Sequence, residues 1–470
     1  MTEAITSIVT ILVYVKLFLF WLWLWQLKEY HIGRFVAHFE EGQAFKKILS
    51  SLWRLKYPKF TKKIIIIFLA GIFLALCMIF KGYHLAIFPL IVAIPLFFQV
   101  LTVMWRGRYL EKARKKRAKF PELKVVGITG SYGKTSTKEF LAHILGQKFR
   151  VLKTPEHQNS EVGISNTILR SLTDEHEVFV CEMGAYNKGG IKLLADIVKP
   201  QIGIVAGVNE QHLATFGSME NLLSAEGGEE LVKALPQEGV AIINGGSPKL
   251  KEHISTLKKA NEGAKFIVGT EDIQAENIKI EKESVSFEVD GTQFRVSVCG
   301  GHNAQNLLLA IAAAKEMGMS LEEIAKACAT ITPDLGALKI KRGINGATII
   351  DSTYSANPDG VIADLEYLSL YEGKKILVMP CLIELGKAAK DAHKRIGAKI
   401  EEICDLAIIT TKEHFEDLKQ GAKQSEKIVY MENPQEILAK IKNNTKTGDA
   451  ILLESRLSES LVKVLIEQTG

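Results

Sequence analysis

Three apolar runs near the N-terminus constrain this chain more than any other feature. They occupy residues 4–25, 64–80 and 85–105, each close to the ~20 residues that a helix needs to cross a bilayer. Inside hydrocarbon every backbone N–H and C=O must be satisfied within the segment, so runs of this kind are expected to be transmembrane helices. A cleavable signal peptide does not fit, because no basic residue precedes the first run and no small-residue cleavage site follows it. Loop charge sets the expected orientation. Nine Lys/Arg lie between the first two runs and eight within 106–119, whereas the turn 81–84 carries one. The positive-inside rule then places the N-terminus outside and everything after Trp105 in the cytoplasm, giving a multi-pass protein of the cell membrane.

Two details of this region remain open on sequence alone. Phe45, Ile48, Leu49 and Leu52 recur at helical spacing beside Lys46, Lys47, Arg54 and Lys56, as in an interfacial helix lying on anionic membrane lipids or in a short packed linker helix. Lys16 sits in the middle of the first run with no acidic partner in the other two. It meets a lipid phosphate, snorkels toward the interface, or simply adds a modest insertion cost.

Charge separates this region from the rest. Residues 1–120 hold 19 Lys/Arg against 5 Asp/Glu, so the net +6 of the 470-residue chain conceals a remainder with 40 against 48. The basicity belongs to a membrane surface and gives no support to nucleic-acid binding. Cys77, Cys181, Cys299, Cys328, Cys381 and Cys404 form no CxxC pair, which argues against a disulfide framework or a zinc site and for reduced thiols on the cytosolic side. The length suits roughly three domains, expected at 1–120, 121–333 and 334–470.

At residues 125–137 the sequence VVGITGSYGKTST runs from an apolar strand into a glycine loop and then a helical pattern of Phe140, Leu141, Ile144 and Leu145. This is the form of a phosphate cradle. Backbone N–H groups of Gly130, Ser131 and Gly133 can surround phosphate oxygens, Lys134 can neutralise the outer phosphates, and Thr135, followed by Ser136, can complete a Mg2+ shell. The common GxxxxGK[ST] spacing is absent, since it requires glycine where Ile128 stands. What remains is the shorter TGxxGK[ST][ST].

Beyond Pro121 short β-branched strands alternate with helical stretches, the pattern of a parallel α/β sheet. Strands are expected at 178–181, 202–206 and 240–243, with Glu182 ending the first and Asn209 and His212 following the second. Such strand ends gather at the ligand crevice of an open sheet, where a carboxylate and an imidazole can hold Mg2+ directly or through water. Residues 265–298 read as a small antiparallel elaboration. In GHNAQN, His302, Asn303 and Asn306 stand at a helix start, placed either to bind an adenine or ribose edge or to cap the helix. A second α/β unit starts near Asp334, with strands in TIIDSTYSANPDG, KILVMPCLIELG and AILLESR.

The ordered blocks TGSYGKTST, TPEHQNSEVG (154–163), EMG (182–184), VNEQHLATFGS (208–218), GHNAQN, STYSANPD (352–359), IELG (383–386) with His393, and ESR (454–456) resemble the Mur ligase family from about residue 121 to the C-terminus. The resemblance implies a P-loop-type central ATPase domain followed by a C-terminal Rossmann-like α/β domain. It implies ATP- and Mg2+-dependent, ADP-forming amide-bond synthesis. A carboxylate attacks the γ-phosphate, ADP leaves, and an amine displaces phosphate from the acyl phosphate. Positioning and charge neutralisation dominate such chemistry. By the same resemblance Thr135, Glu182 and His212 are metal-site residues, Asn306 contacts nucleotide, and Asn159 lines the reaction crevice. Asp351, Tyr354, Asn357, Ser455 and Arg456 would come from the C-terminal domain, which closes over ATP about a hinge near Pro333.

Departures from the family are equally informative. The membrane region stands where a soluble uridine-nucleotide-binding domain is expected. Many members carry a carbamylated lysine that supports a second metal; the corresponding stretch here reads SAEGGEEL. Counting back from Pro236 puts Gly228 at that position, whereas a two-residue insertion puts Glu226 there, which would supply a carboxylate without carbamylation. Ala337, Cys381, Leu453 and Glu454 also replace residues usual in the family. The implied activity is addition of D-Ala-D-Ala or another amino-acid unit to a peptidoglycan precursor, nucleotide- or lipid-linked. Alternatives are a poly-γ-glutamate-synthase-like ligase of another acceptor and a non-catalytic scaffold.

Overall fold

The computed structural model describes residues 2–27, 51–156, 158–335, 338–353 and 357–466. The chain divides into two compact units, 1–112 and 113–470.

In the first unit the helices Thr2–Leu27 and Lys62–Phe80 follow the first two apolar runs, while the third run is helical only from Leu90, residues 85–89 forming turns, and its helix continues to Arg117. All three are long and apolar enough to cross a membrane. Tyr14, Phe18 and Leu22 pack on Ile64, Ile67, Ala75 and Ile91. Gly71 makes the close crossing possible, because a Cβ there would stand 2.3 Å from the Phe18 ring. Large side chains such as Leu12, Leu69, Phe73, Phe97 and Trp105 remain exposed. The Lys16 ammonium donates to the carbonyls of Ser51, at 3.0 Å, and Leu52. Two backbone carbonyls within reach of the long side chain satisfy the charge locally. Of the amphipathic stretch, Phe45, Lys46, Lys47, Ile48 and Leu49 lie outside the described residues.

In the second unit β1 (Lys124–Thr129), β2 (Val151–Lys153), β3 (Val178–Glu182), β4 (Ile202–Val205), β5 (Val240–Asn244) and β6 (Lys265–Gly269) form a six-stranded sheet in the order β2-β3-β1-β4-β5-β6. Every pairing is parallel. The central strands read as continuous apolar runs because both faces are covered. Val126, Ile128, Val180 and Ile204 are buried with Phe140, Leu141 and Ile144 of the helix Lys134–Leu145 and with the alanine-rich helix His302–Glu316. Fully burying a side chain of this size contributes about 1.5–3 kcal/mol.

Residues 265–269 depart from the expectation of an antiparallel elaboration. The helix Pro248–Ala260 supplies a crossover from β5, so KFIVG adds to the main sheet as its parallel edge. Only β7 (Glu276–Ile280), β8 (Val285–Val289) and β9 (Thr292–Val296) form the small antiparallel sheet.

The last sheet contains β10 (Lys339–Arg342), β11 (Thr348–Ser352), β12 (Lys375–Met379), β13 (Leu406–Ile409), β14 (Ile428–Tyr430) and β15 (Ala450–Glu454), in the order β10-β11-β15-β12-β13-β14. β10 is antiparallel to β11 and the other pairings are parallel, which makes this sheet mixed. β15 inserts between β11 and β12, so its end lies near a reversal of strand order, where open α/β sheets place ligand crevices.

Candidate functional site

β1 delivers the chain into the glycine loop at the carboxyl edge of the first sheet. Gly130 has φ +142 and Gly133 φ +79, conformations that glycine adopts without a Cβ penalty. Side chains are also excluded by space: a Cβ on Gly130 would lie 2.8 Å from the Gly207 carbonyl oxygen, and one on Gly133 2.6 Å from Asn306 Oδ1. Gly133 caps the helix Lys134–Leu145, so the unpaired N–H groups of the first helical turn adjoin the loop. Lys134 Nζ donates back to the carbonyls of Gly130 and, at 3.0 Å, Ser131. Ser136 is buried in the same turn.

Two acidic centres flank the loop. At the first, Glu182 ends β3 beside β1, opposite Ile128 in the register. Its Oε2 accepts from Thr135 Oγ1 at 3.1 Å and its Oε1 from Asn159 Nδ2 at 2.9 Å. Gly184 permits this approach, since a Cβ there would stand 2.9 Å from the Asn159 amide carbon. Buried Lys138, one helical turn after Lys134, lies 3.3 Å from Glu182 Oε2 and 3.0 Å from Glu139 Oε1. Sequence reading passed over Lys138, because a lysine four residues after another normally marks a solvated helix face.

The second centre is Glu226, which is 1% exposed. Its Oε2 accepts from Ser131 Oγ at 2.7 Å, and its Oε1 lies 2.9 Å from His212 Nδ1. Burial pushes the Glu226 carboxyl up, but His212, Lys134 and the Ser131 hydroxyl outweigh it and hold it below the usual carboxylate range. Gly228, the competing position, has φ +89, and a Cβ there would lie 2.3 Å from Val205 Cγ2. A side chain at 228 would therefore run into β4. His212 pairs with Glu226 rather than Glu182, and its ring makes an edge contact with Tyr186 at 6.0 Å.

The asparagines of GHNAQN turn inward. Gly301 is the cap residue and offers no side chain, Asn303 Nδ2 donates to Cys299 O at 2.7 Å, and Asn306 Nδ2 donates to Asn303 Oδ1 at 3.3 Å. Asn306 thus adjoins Gly133 while Asn303 fastens its own helix start.

Residues after 338 divide into a linked group and a separate one. Asn357 caps the helix Pro358–Leu368 and accepts from Asn209 Nδ2 at 2.7 Å; the Asn209 carbonyl lies 3.4 Å from Ser131 Oγ. The backbone carbonyl of Glu384, a residue at φ +68, accepts from the Ala214 N–H at 3.1 Å, two residues after His212. Sequence reading missed this backbone contact for want of any side-chain signal. Asp351 instead pairs with Lys341 Nζ at 2.6 Å and accepts from Thr353. Burial raises its pKa, yet these partners together bring it below the ordinary aspartate value. Ser455 is left-handed, φ +61, and its N–H donates to Glu454 Oε1 at 3.0 Å, while Arg456 is exposed. Tyr354 and Ala337 lie outside the described residues.

The Mur ligase middle domain matches residues 128–314, and the Mur ligase glutamate ligase domain residues 338–457. A UDP-N-acetylmuramoyl-tripeptide–D-alanyl-D-alanine ligase of Bacillus subtilis is 30% identical over 355 residues, covering 73% of this chain and 76% of that protein. Its counterpart from Synechocystis is 29% identical, covering 78% and 77%. Among solved structures, MurF from Acinetobacter baumannii superposes with a TM-score of 0.70 at 26% identity, covering 77% of this chain and 81% of that one. MurF ligase from Thermotoga maritima in complex with ADP gives 0.65 at 25% identity, covering 76% and 82%.

Proposed function

The chain belongs to the Mur ligase family, and from that premise we propose that this ATP-dependent, ADP-forming ligase adds D-Ala-D-Ala to the peptide of a peptidoglycan precursor at the cytoplasmic face of a membrane. The observation that carries this reading is the convergence of Lys134, Thr135, Glu182, His212 and Glu226 around one glycine loop. The relatives from Bacillus subtilis and Synechocystis are named for that transfer. The three apolar helices precede the first matched residue, 128, and support a membrane-attached enzyme acting on nucleotide-linked or lipid-linked acceptors.

In the proposed mechanism the loop N–H groups and Lys134 hold the ATP phosphates, with Lys134 leaving its loop carbonyls to meet the γ-phosphate. Thr135 Oγ1 and the Glu182 carboxylate are hard oxygen donors 3.1 Å apart and would hold Mg2+ directly or through water, while His212, paired with Glu226 across the loop, would act on the cation only through water. Mg2+ supplies charge neutralisation at the transferring phosphoryl group. Glu226 takes the place of a carbamylated lysine as a fixed carboxylate, oriented by Ser131 and His212. Asn159 holds Glu182 in place, and Asn306 braces Gly133. Asn357 and the loop carrying Glu384 bring the C-terminal domain, with the amine substrate, onto the central one; Asp351, Ser455 and Arg456 act from that side, about a hinge near Pro333. The acceptor carboxylate attacks the γ-phosphorus, ADP departs, and the amine displaces phosphate from the acyl phosphate.

The test is phosphate release from ATP by full-length protein in nanodiscs, with products identified by mass spectrometry. Release is expected only when a muramoyl-peptide acceptor and D-Ala-D-Ala are both present, and Lys134→Ala abolishes it. Turnover with another acceptor and amine alone would move the protein to a different ligase reaction, and no turnover with any pairing would leave a scaffold.

A further inference from the structure

Both carboxylate oxygens of Glu182 have protein partners. Asn159 occupies Oε1, and Oε2 faces both the Thr135 hydroxyl and the Lys138 ammonium. Lys138 has 0% of its side chain exposed, and Glu139, its other anionic neighbour, is itself paired with Lys153. An ammonium on a carboxylate away from bulk water is weakly screened, so it cancels much of the charge that would attract a divalent cation. It would also repel such a cation at close range. On the other side of the loop, Glu226 is committed to Ser131 and His212. Among the described residues, no group of three or more His, Cys, Asp or Glu side chains could hold a metal ion. Mg2+ gives up its water reluctantly and demands several anionic or carbonyl oxygens, so the protein alone offers too little.

We infer that Lys138 is a charge lock on Glu182, which keeps the site from taking a divalent cation until nucleotide phosphates supply the missing negative charge. Lys138 is thus a positioning residue: it holds the carboxylate aimed at the loop and makes cation binding conditional on nucleotide. The inference rests on the proposed role of Glu182 as a metal ligand.

The probe is Mn2+, followed by electron paramagnetic resonance on full-length protein in nanodiscs, with and without a non-hydrolysable ATP analogue. Wild type without nucleotide is expected to show no saturable Mn2+ binding below about 1 mM, and binding at least about tenfold tighter than free analogue with the analogue present. Lys138→Met is expected to gain about tenfold or more in nucleotide-free Mn2+ affinity, with Lys138→Gln as a second neutral variant, while Lys138→Arg stays as weak as wild type. Thermal melts establish that each variant is folded. Tight nucleotide-free binding by wild type overturns the inference on its own, and so does an unchanged affinity in both neutral variants. Glu182→Gln separates the two readings. If Mn2+ binding with the analogue is undiminished in that variant, the metal role of Glu182 fails; if it is lost there while Lys138→Met behaves as wild type, only the lock fails.

Discussion

Replacing Glu226 by glutamine tests the carboxylate proposed for the second acidic centre with almost no change in shape. Glu226 accepts from Ser131 at 2.7 Å and lies 2.9 Å from His212. Hydrogen bonds to a charged group contribute about 1.5–3 kcal/mol each, so losing the charge weakens two of them. The opposing contribution is comparable, because a neutral amide no longer carries the desolvation penalty of a buried carboxylate. Folding stability in Glu226→Gln is therefore expected to change by only about 1–2 kcal/mol. Catalysis has no such offset. Glu226 is an anion and can serve the phosphates only by helping to hold Mg2+, and losing that preorganised charge is expected to cost about 10²–10³ in kcat, the size seen when one electrostatic group of an active site is removed. The assay pairs denaturant unfolding with acceptor-stimulated phosphate release, repeated in bicarbonate-depleted buffer. Wild type should be indifferent to bicarbonate, since its carboxylate is encoded. Gly228→Ala is the companion variant: its Cβ would meet Val205 at 2.3 Å in a left-handed backbone, so it should lose at least about 1–2 kcal/mol of stability from the backbone alone. Wild-type turnover in Glu226→Gln, or a requirement for bicarbonate in wild type, would refute the reasoning.

Three further outcomes follow from other parts of the chain. Burial, with the nearby His414 also contributing, lowers the His393 pKa to about 4, against an upward pull from the Ala389 carbonyl and Asp417; its stabilising contribution is complete above the unfolded value near 6.5 and is lost as pH falls toward 4, a span of roughly 3 kcal/mol. Denaturant unfolding of wild type and His393→Gln should show the gap between them closing from pH 7 to pH 4, and a constant gap would contradict the assignment. Gly133→Ala should weaken ATP-analogue binding in calorimetry at least about tenfold, because the left-handed backbone costs about 1–2 kcal/mol and the new Cβ meets Asn306 at 2.6 Å; unchanged affinity would remove Asn306 as a brace. Ser320→Ala breaks the capping box with Glu323 and should lower stability by about 1 kcal/mol in the same unfolding assay with no effect on turnover.

The parts of the site legible in the sequence are those carried by one local segment. The strand-loop-helix at 125–137 announces itself through glycine spacing and the apolar run before it, and Glu182 through its place at a strand end. By contrast, nothing local in SAEGGEEL distinguishes Glu226 from Gly228; the choice depends on which backbone turns toward Ser131 and which toward Val205. Lys138 reads as a surface lysine until β3 brings Glu182 beside it. Residues 265–269 read as part of a small antiparallel elaboration because short strands look alike in sequence, and the pairing partner is decided by the preceding crossover helix.

The sequence by itself determined the three apolar helices, the phosphate-loop form and the alternation that builds parallel sheets, because hydrophobic length, glycine placement and residue periodicity act over a few turns of chain. Only the tertiary structure decided that Ser131, His212 and Glu226 meet on one side of the loop and Thr135, Lys138, Asn159 and Glu182 on the other. Those residues are separated by up to 95 positions, and parallel pairing of β3, β1 and β4 brings their strand ends together. Charge, moreover, changes meaning once water is excluded: Lys138, which nothing in the chain marks out, becomes when buried beside Glu182 part of the electrostatics of the site.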